Sequence, residues 1–232
     1  MNRQESEPDS GVAGDSARRE YERRRGRRQQ SARSKSRLAR LIAALFGPSA
    51  KEKRQLADEK HWATGAQGEA ILAEFLAKRC PDVPVLHDRR IPRSRANIDH
   101  IAVGASGVYV IDTKRYRGKI EVRQPLFGAS KLKIAGRDQT KLIDGLAKQV
   151  AVVRAALEDA VPGVPVHGCL CFVAPEGFMA DSGLPVLKTL RINGYPLYYP
   201  RRLARRLNRS GPLTPEQTRQ IHAALAERLT PA

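Results

Sequence analysis

Asp99, Asp112 and Lys114 are the residues of this chain whose types and spacing point to chemistry. They lie in "ANIDHIAVGASGVYVIDTK", Ala96 to Lys114, a stretch otherwise rich in Ile and Val. Ile98–Val103 and Val108–Lys114 read as strands. Gly104-Ala105-Ser106-Gly107 reads as the tight turn between them. A turn centred there sets Val103 opposite Val108, Ile101 opposite Val110 and Asp99 opposite Asp112. Side chains alternate along a strand, so Lys114 shares the face of Asp112. Ile98, Ala102, Tyr109 and Ile111 fall on the other face, as in inner strands between helical layers. Opposed Cβ atoms are roughly 4.5–5.5 Å apart, where like charges repel. Burying ionised carboxylates is costly unless they are paired or bind a metal. A divalent cation with hard oxygen ligands, Mg²⁺ at about 2.0–2.1 Å, resolves the conflict. The alternative is a hairpin end in water, with Lys114 in an ordinary surface ion pair with Asp112. A one-residue slip in register would scatter the set.

A fourth member comes from a helix. "GAQGEAILAEFLAKR", Gly65 to Arg79, has Ile71, Leu72, Phe75 and Leu76 as its apolar stripe. Glu69 lies on or beside that stripe and faces the core. Gly65 and Gly68 are poor helix formers, which points to close backbone packing. Glu69, Asp99, Asp112 and Lys114 together suit one or two Mg²⁺ ions, with Mn²⁺ as a substitute. Such a site activates water, polarises a phosphoryl oxygen and neutralises a leaving oxygen. Lys114 would hold the attacking water or the scissile phosphate electrostatically.

Basic residues frame this acidic centre. Arg89, Arg90, Arg93 and Arg95 precede it as a basic link; Arg115, Arg117 and Lys119 follow, with Tyr116 between them. Lys and Arg position nucleic acid through its phosphates without reading sequence. Tyr116 could stack on an unpaired base. Each arginine alone also reads as a solvated loop charge, and Tyr116 as packing. The cluster flanking an acidic centre on both sides favours a polyanionic substrate.

Composition agrees. The 232 residues carry a net charge of +18 with 41% hydrophobic residues, enough for one ordinary core and a basic tail. The charge implies nucleic acid or an anionic membrane surface as partner. Cys80, Cys169 and Cys171 lack metal-site spacing and read as reduced core residues. No stretch is long enough to span a bilayer, and the N-terminus lacks the order of a signal peptide, so a cytoplasmic location is expected, with nucleoid or membrane association. There is no Walker loop and no zinc spacing. Ser106 has no partner base. His100 adjoins Asp99 but faces away, as a core histidine. His61 and Trp62 read as anchors just ahead of the first helix.

The elements that must position these residues follow in order. Residues 1–17 read as disordered and Arg18–Arg37 as a solvated basic block. "RLARLIAALFG", Arg37 to Gly47, is a short amphipathic helix that could lie on a membrane interface or dock on a partner, so anionic membrane contact is expected over residues 18–46. A composition shift near Thr64 divides an arm, 1–64, from an α/β domain, 65–232. There follow strands at Val83–His87 and the hairpin, then one at Lys119–Val122. A helix from about Asp138 to Asp159 turns Leu142, Leu146, Val150, Val153 and Leu157 inward, with Gln149 beside that face. Val164–Ala174 is a buried strand, and "YPLYY" a short one. Arg201–Leu207 reads as a basic helix, and a last helix opens on the capping box Thr214-Pro215-Glu216-Gln217. This is an α/β fold, a mixed sheet with helices on both sides.

The Gly-x-x-Gly-Glu helix, the Ile-Asp-His strand and "IDTKRYRGKI" together resemble the nuclease-related domain, NERD, of the PD-(D/E)xK superfamily. The resemblance covers about Gly65 to Ala174, leaving 175–232 as an extension. It implies a restriction-endonuclease-like core. It also implies that Asp99 is the first metal-binding acid, Asp112 the second where relatives often have Glu, Lys114 the motif lysine and Glu69 the helix acid. Gln149 matches a polar helix position of the superfamily. Asn97 and Ile98 depart from the motif, which names Pro where Ile98 stands. The function expected is a Mg²⁺-dependent nuclease hydrolysing phosphodiester bonds, chiefly of DNA. The alternative is an inactive nucleic-acid-binding module, tethered or not to a membrane by its basic arm.

Overall fold

The computed structural model describes residues 8–34, 47, 49–125, 128–158, 160–174, 184–185 and 188–232. The amphipathic segment Arg37–Gly47 lies almost wholly outside the described residues. Two helices open the chain, α1 (Asp15–Arg33) and α2 (Ala50–Arg79). Strands β1 (Val85–Arg90), β2 (Asn97–Gly104) and β3 (Gly107–Lys114) follow, then the short strands β4 (Ile120–Arg123), β5 (Lys131–Ile134) and β6 (Arg137–Asp138). Helix α3 (Lys141–Glu158) leads to β7 (Val166–Phe172), β8 (Arg191–Ile192) and β9 (Tyr195–Tyr198), and helices α4 (Pro200–Leu207) and α5 (Pro215–Arg228) close the chain.

The main sheet has six strands in the order β1-β2-β3-β7-β9-β8. Strands β1 to β3 are antiparallel, whereas β7 runs parallel to both β3 and β9. It is a mixed sheet flanked by helices, consistent with a restriction-endonuclease-like core. One face packs Ile101, Val103, Val110 and Leu170 against α3 and α5 through Leu146, Val150, Ile221 and Leu225. The other packs Ala102, Tyr109, Ile111 and Cys169 against α2 and α4 through Leu72, Leu76, Leu203 and Leu207. All three cysteines are free and buried, as their apolar surroundings predict.

The hairpin register matches the sequence reading: His100 faces Ile111, Ile101 faces Val110 and Val103 faces Val108. Gly107 closes the turn at φ 125°, where a side chain would be strained. Several expectations change. Helix α2 begins at Ala50, well before Gly65, because Ser49 and Glu52 form a capping box. Trp62 therefore lies within α2, partly exposed beneath the guanidinium of Arg24. Arg89 and Arg90 belong to β1 and not to a basic link. Arg89 is fully buried and donates to the carbonyls of Leu229, at 3.2 Å, and Asp9. The strand expected at Lys119–Val122 is β4, but its partners β5 and β6 were not foreseen; β5 buries Leu132 and Ile134 on alternate positions of a lysine-bearing strand. Ile98 packs with Ile101 and not with Ala102, since Asp88, at φ 51°, interrupts the β1–β2 ladder and breaks the alternation beside it.

The basic block Arg18–Arg33 is helical. Several of its charges are answered by acids: Glu20 bonds Arg23 and Arg24, and Arg28 donates to the buried Glu59 of α2 at 2.8 Å. Among the described residues no helix is long and apolar enough to cross a membrane.

Candidate active site

The ladders open on both sides of Asp99. Pairing of β1 with β2 passes from His87–His100 to Arg89–Ile98, and pairing of β2 with β3 runs from His100–Ile111 to the turn. The Asp99 carboxylate fills part of that gap: its Oδ2 accepts the backbone N–H of Thr113 at 2.7 Å. On β3, Lys114 Nζ donates to Asp112 Oδ1 at 2.8 Å. Asp99 and Asp112 are only 7% and 5% exposed. The hairpin end is therefore not a solvated surface ion pair, and the burial cost foreseen from the sequence is real.

Helix α2 adds Glu69, likewise buried, with Oε2 lacking any hydrogen-bond partner. The approach is close at Gly68: a Cβ there would stand 3.3 Å from Arg115 Cβ and 3.8 Å from Thr113 Cγ2. Gly65, by contrast, faces open space, so close packing explains only one of the two glycines. Burial drives the Glu69 carboxyl up to about 9, and Asp99 and then Asp88 add to the shift. Asp99 is raised by burial and next by Asp112, against the opposing pull of Lys114 and the Thr113 N–H. Burial pulls the Lys114 ammonium down, but Asp112 and Asp99 outweigh it and hold the group above the ordinary lysine value. The four residues thus share one electrostatic neighbourhood with one ammonium for three carboxyls.

The donor set is of the right kind for a hard cation: buried carboxylate oxygens, one of them orphaned, in a site short of positive charge. It is not a closed cage. Among the described residues no group of three or more His, Cys, Asp and Glu could hold a metal ion as it stands. Mg²⁺ typically takes one or two protein carboxylates and completes its shell with water and substrate phosphate, so two acids meet its needs.

Residues 64–173, from within α2 to just past β7, match the family model of the nuclease-related domain. This segment is a NERD domain. NERD domains are of the PD-(D/E)xK kind. No curated protein and no solved structure matches the chain.

The other expected site residues are distributed around the NERD domain as follows. Arg93 and Arg95 are exposed between β1 and β2, and Arg93 adopts φ 59°. Arg115 is half-buried and donates to Gln67 of α2. Tyr116 packs, partly buried, against the larger apolar cluster. Arg117 and Lys119 are exposed, and Lys119 pairs with Glu121 at 3.0 Å. Gln149 is half-buried on α3 with Oε1 lacking a hydrogen-bond partner.

Asp88 was missed. It is buried and adds to the charge felt by both Glu69 and Asp99. Its carboxylate accepts from Ser16 N at 2.5 Å, Ser16 Oγ at 2.7 Å and Asn97 Nδ2 at 2.6 Å. It thereby caps α1 from a distance and ties that helix to the base of the hairpin. Ser16 is 72 residues away in sequence, so no local pattern announces the contact.

Proposed function

We propose that this chain is a Mg²⁺-dependent nuclease that hydrolyses phosphodiester bonds, with DNA as substrate. The observation that carries the reading is the buried cluster of Asp99, Asp112 and Lys114 beside the unpartnered Glu69 within a NERD domain. Asp99 and Asp112 would hold the ion, with Mn²⁺ as a substitute. The ion, when bound, would supply Lewis acidity and counter-charge at the reacting phosphate. Lys114, charged and anchored by Asp112, is set to bind a non-bridging phosphate oxygen and stabilise charge as it develops there. Glu69 keeps its proton at neutral pH until positive charge arrives and would then bind through an ionised carboxylate. Arg93, Arg95, Arg115 and Arg117 would hold flanking phosphates without reading sequence. Tyr116 is already half covered by the core, so base stacking is the weakest of these roles.

The test is cleavage of plasmid DNA, and of RNA in parallel, by purified protein in Mg²⁺ and in chelator. Nicking or degradation of DNA in Mg²⁺ alone supports the reading. Cutting that persists in chelator would contradict it. The absence of a three-ligand group among the described residues favours a second reading, a binding module without catalysis. That reading predicts steeply salt-dependent DNA binding and no Mg²⁺-dependent cutting.

The described part of the basic N-terminal region does not stand free as a tether, because α1 is docked on α2 and Asp88. Contact with an anionic membrane would have to come from the remaining residues of 18–46, and sedimentation with anionic vesicles tests it.

A further inference from the structure

A cavity of about 320 Å³ lies toward the other end of β7 from the acidic cluster. Asp112 and Lys114 stand beside Leu170 and Phe172, late in β7, whereas the cavity reaches Val166, His167, Gly168 and Cys169, at its start. The sheet itself makes the opening. Strand β9 pairs with β7 only at Leu170–Leu197 and Cys171–Tyr198, so the earlier edge of β7 has no strand beside it among the described residues. Helix α3, helix α4 and the β8–β9 turn wall the notch.

Its lining is basic and aromatic. Arg154 comes from α3, Arg191 from β8 and Arg206 from α4, and among the described residues no Asp or Glu lines the cavity. The three guanidiniums are held by neutral groups. Arg154 donates to Val166 O at 3.3 Å and Arg191 to Gly194 O at 3.0 Å, while Arg206 sits 5.6 Å above the ring of Tyr109. With no acid among the described lining residues, three cations on one cavity give it a positive potential that attracts an anion. His167 registers that field: burial first, then Arg206 and Arg154 against its bond to Ser106, keeps the ring below the ordinary histidine value. Aromatic rings complete the wall. Tyr195 lies over Gly168, where a Cβ would come within 2.8 Å of Tyr195 Cε1, so the glycine leaves room for the ring. Tyr198 and His167 flank it. The volume is at the lower end of small-ligand sites, about 300–1,000 Å³, which fits a monomeric ligand better than a polymer.

We propose that this notch is a second ligand site, separate from the acidic cluster, for a small phosphomonoester bearing a planar ring, of the 5′-mononucleotide class. Arg154, Arg191 and Arg206 take the phosphate, and Tyr195, Tyr198 and His167 take the ring. Arginine is suited to the phosphate because its planar fork binds two oxygens at once. The site stands or falls independently of nuclease activity.

Calorimetric titration of the full chain in chelator with 5′-AMP, adenosine and inorganic phosphate tests the assignment. 5′-AMP should bind one to one, at least about tenfold tighter than either fragment. Arg154→Gln and Arg206→Gln should each weaken 5′-AMP by about tenfold with the melting temperature unchanged, while Asp112→Asn leaves it as in the wild type. Phosphate binding as tightly as 5′-AMP would remove the ring from the proposal and overturn the nucleotide class. No binding at millimolar 5′-AMP, or loss of binding in Asp112→Asn to the same degree as in the arginine variants, would overturn the site.

Discussion

The backbone N–H of Thr113 donates to Oδ2 of Asp99 at 2.7 Å, so a side chain of β2 grips β3 between Asp112 and Lys114. The bond fixes the separation of the two acid-bearing strand ends just where ordinary pairing stops. It also gives Asp99 a structural task beside the metal-binding one proposed for it. Asp99→Asn keeps an acceptor for Thr113 and removes one like charge from a buried group. Its melting temperature in chelator should therefore equal or exceed that of the wild type, while Mg²⁺ binding by calorimetry is lost. Asp99→Ala should lose both, with stability down by about 1–3 kcal/mol because a buried N–H is left unsatisfied. Denaturant melts of the two variants separate the tasks.

Glu69 makes stability depend on pH. Its folded value, raised to about 9, lies above the ordinary carboxyl value of 4.5. The folded state therefore binds the proton more tightly than the unfolded chain. The contribution is fully present below about pH 4.5 and is lost as pH rises toward 9. Glu69→Gln, which mimics the protonated acid, should match the wild type near pH 5 and exceed it in urea midpoint at pH 8, both in chelator. A gap of the same size at both pH values would contradict the assigned shift.

Asp88 holds the N-terminal helix. Asp88→Ala strips the bonds to Ser16 N, Ser16 Oγ and Asn97 Nδ2 and puts alanine at φ 51°. A loss of about 1–3 kcal/mol is expected from the unsatisfied donors, with faster tryptic cleavage after the arginines of α1 than in the wild type. Asp88→Asn, which tolerates that backbone and keeps an acceptor, should fall between the two.

The hairpin was legible because its signals are local. Two β-branched runs around Gly104-Ala105-Ser106-Gly107 predict a register centred on that turn, and the observed pairs keep it as far as His100–Ile111, one step short of Asp99 and Asp112. The capping box at Thr214 and the apolar face of α3 were legible for the same reason, although Ile143 and not Leu142 is the residue buried there. What escaped depends on distance in sequence. Asp88 lies just past the strand expected at Val83–His87, and nothing beside it in sequence marks it until Ser16 arrives. Arg28 reads as a solvated charge until Glu59 of the neighbouring helix meets it. Ile98 changed clusters because a left-handed residue on the adjacent strand broke an alternation that its own strand predicts. The notch beside β7 follows from a strand pairing that covers only two residues of β9, which no pattern in "YPLYY" encodes.

In the proposed reaction Lys114, pinned by Asp112, stabilises charge on a reacting phosphate. Single-turnover cleavage of DNA in Mg²⁺ by wild type and Lys114→Met, with DNA affinity measured on the same preparations, tests it most directly. The expected result is a rate lower by about a hundredfold or more with affinity changed by only a few fold, as when one preorganised charge-stabilising group is removed. Equal rates in the two proteins, or a fall in rate matched by an equal fall in affinity, would contradict it.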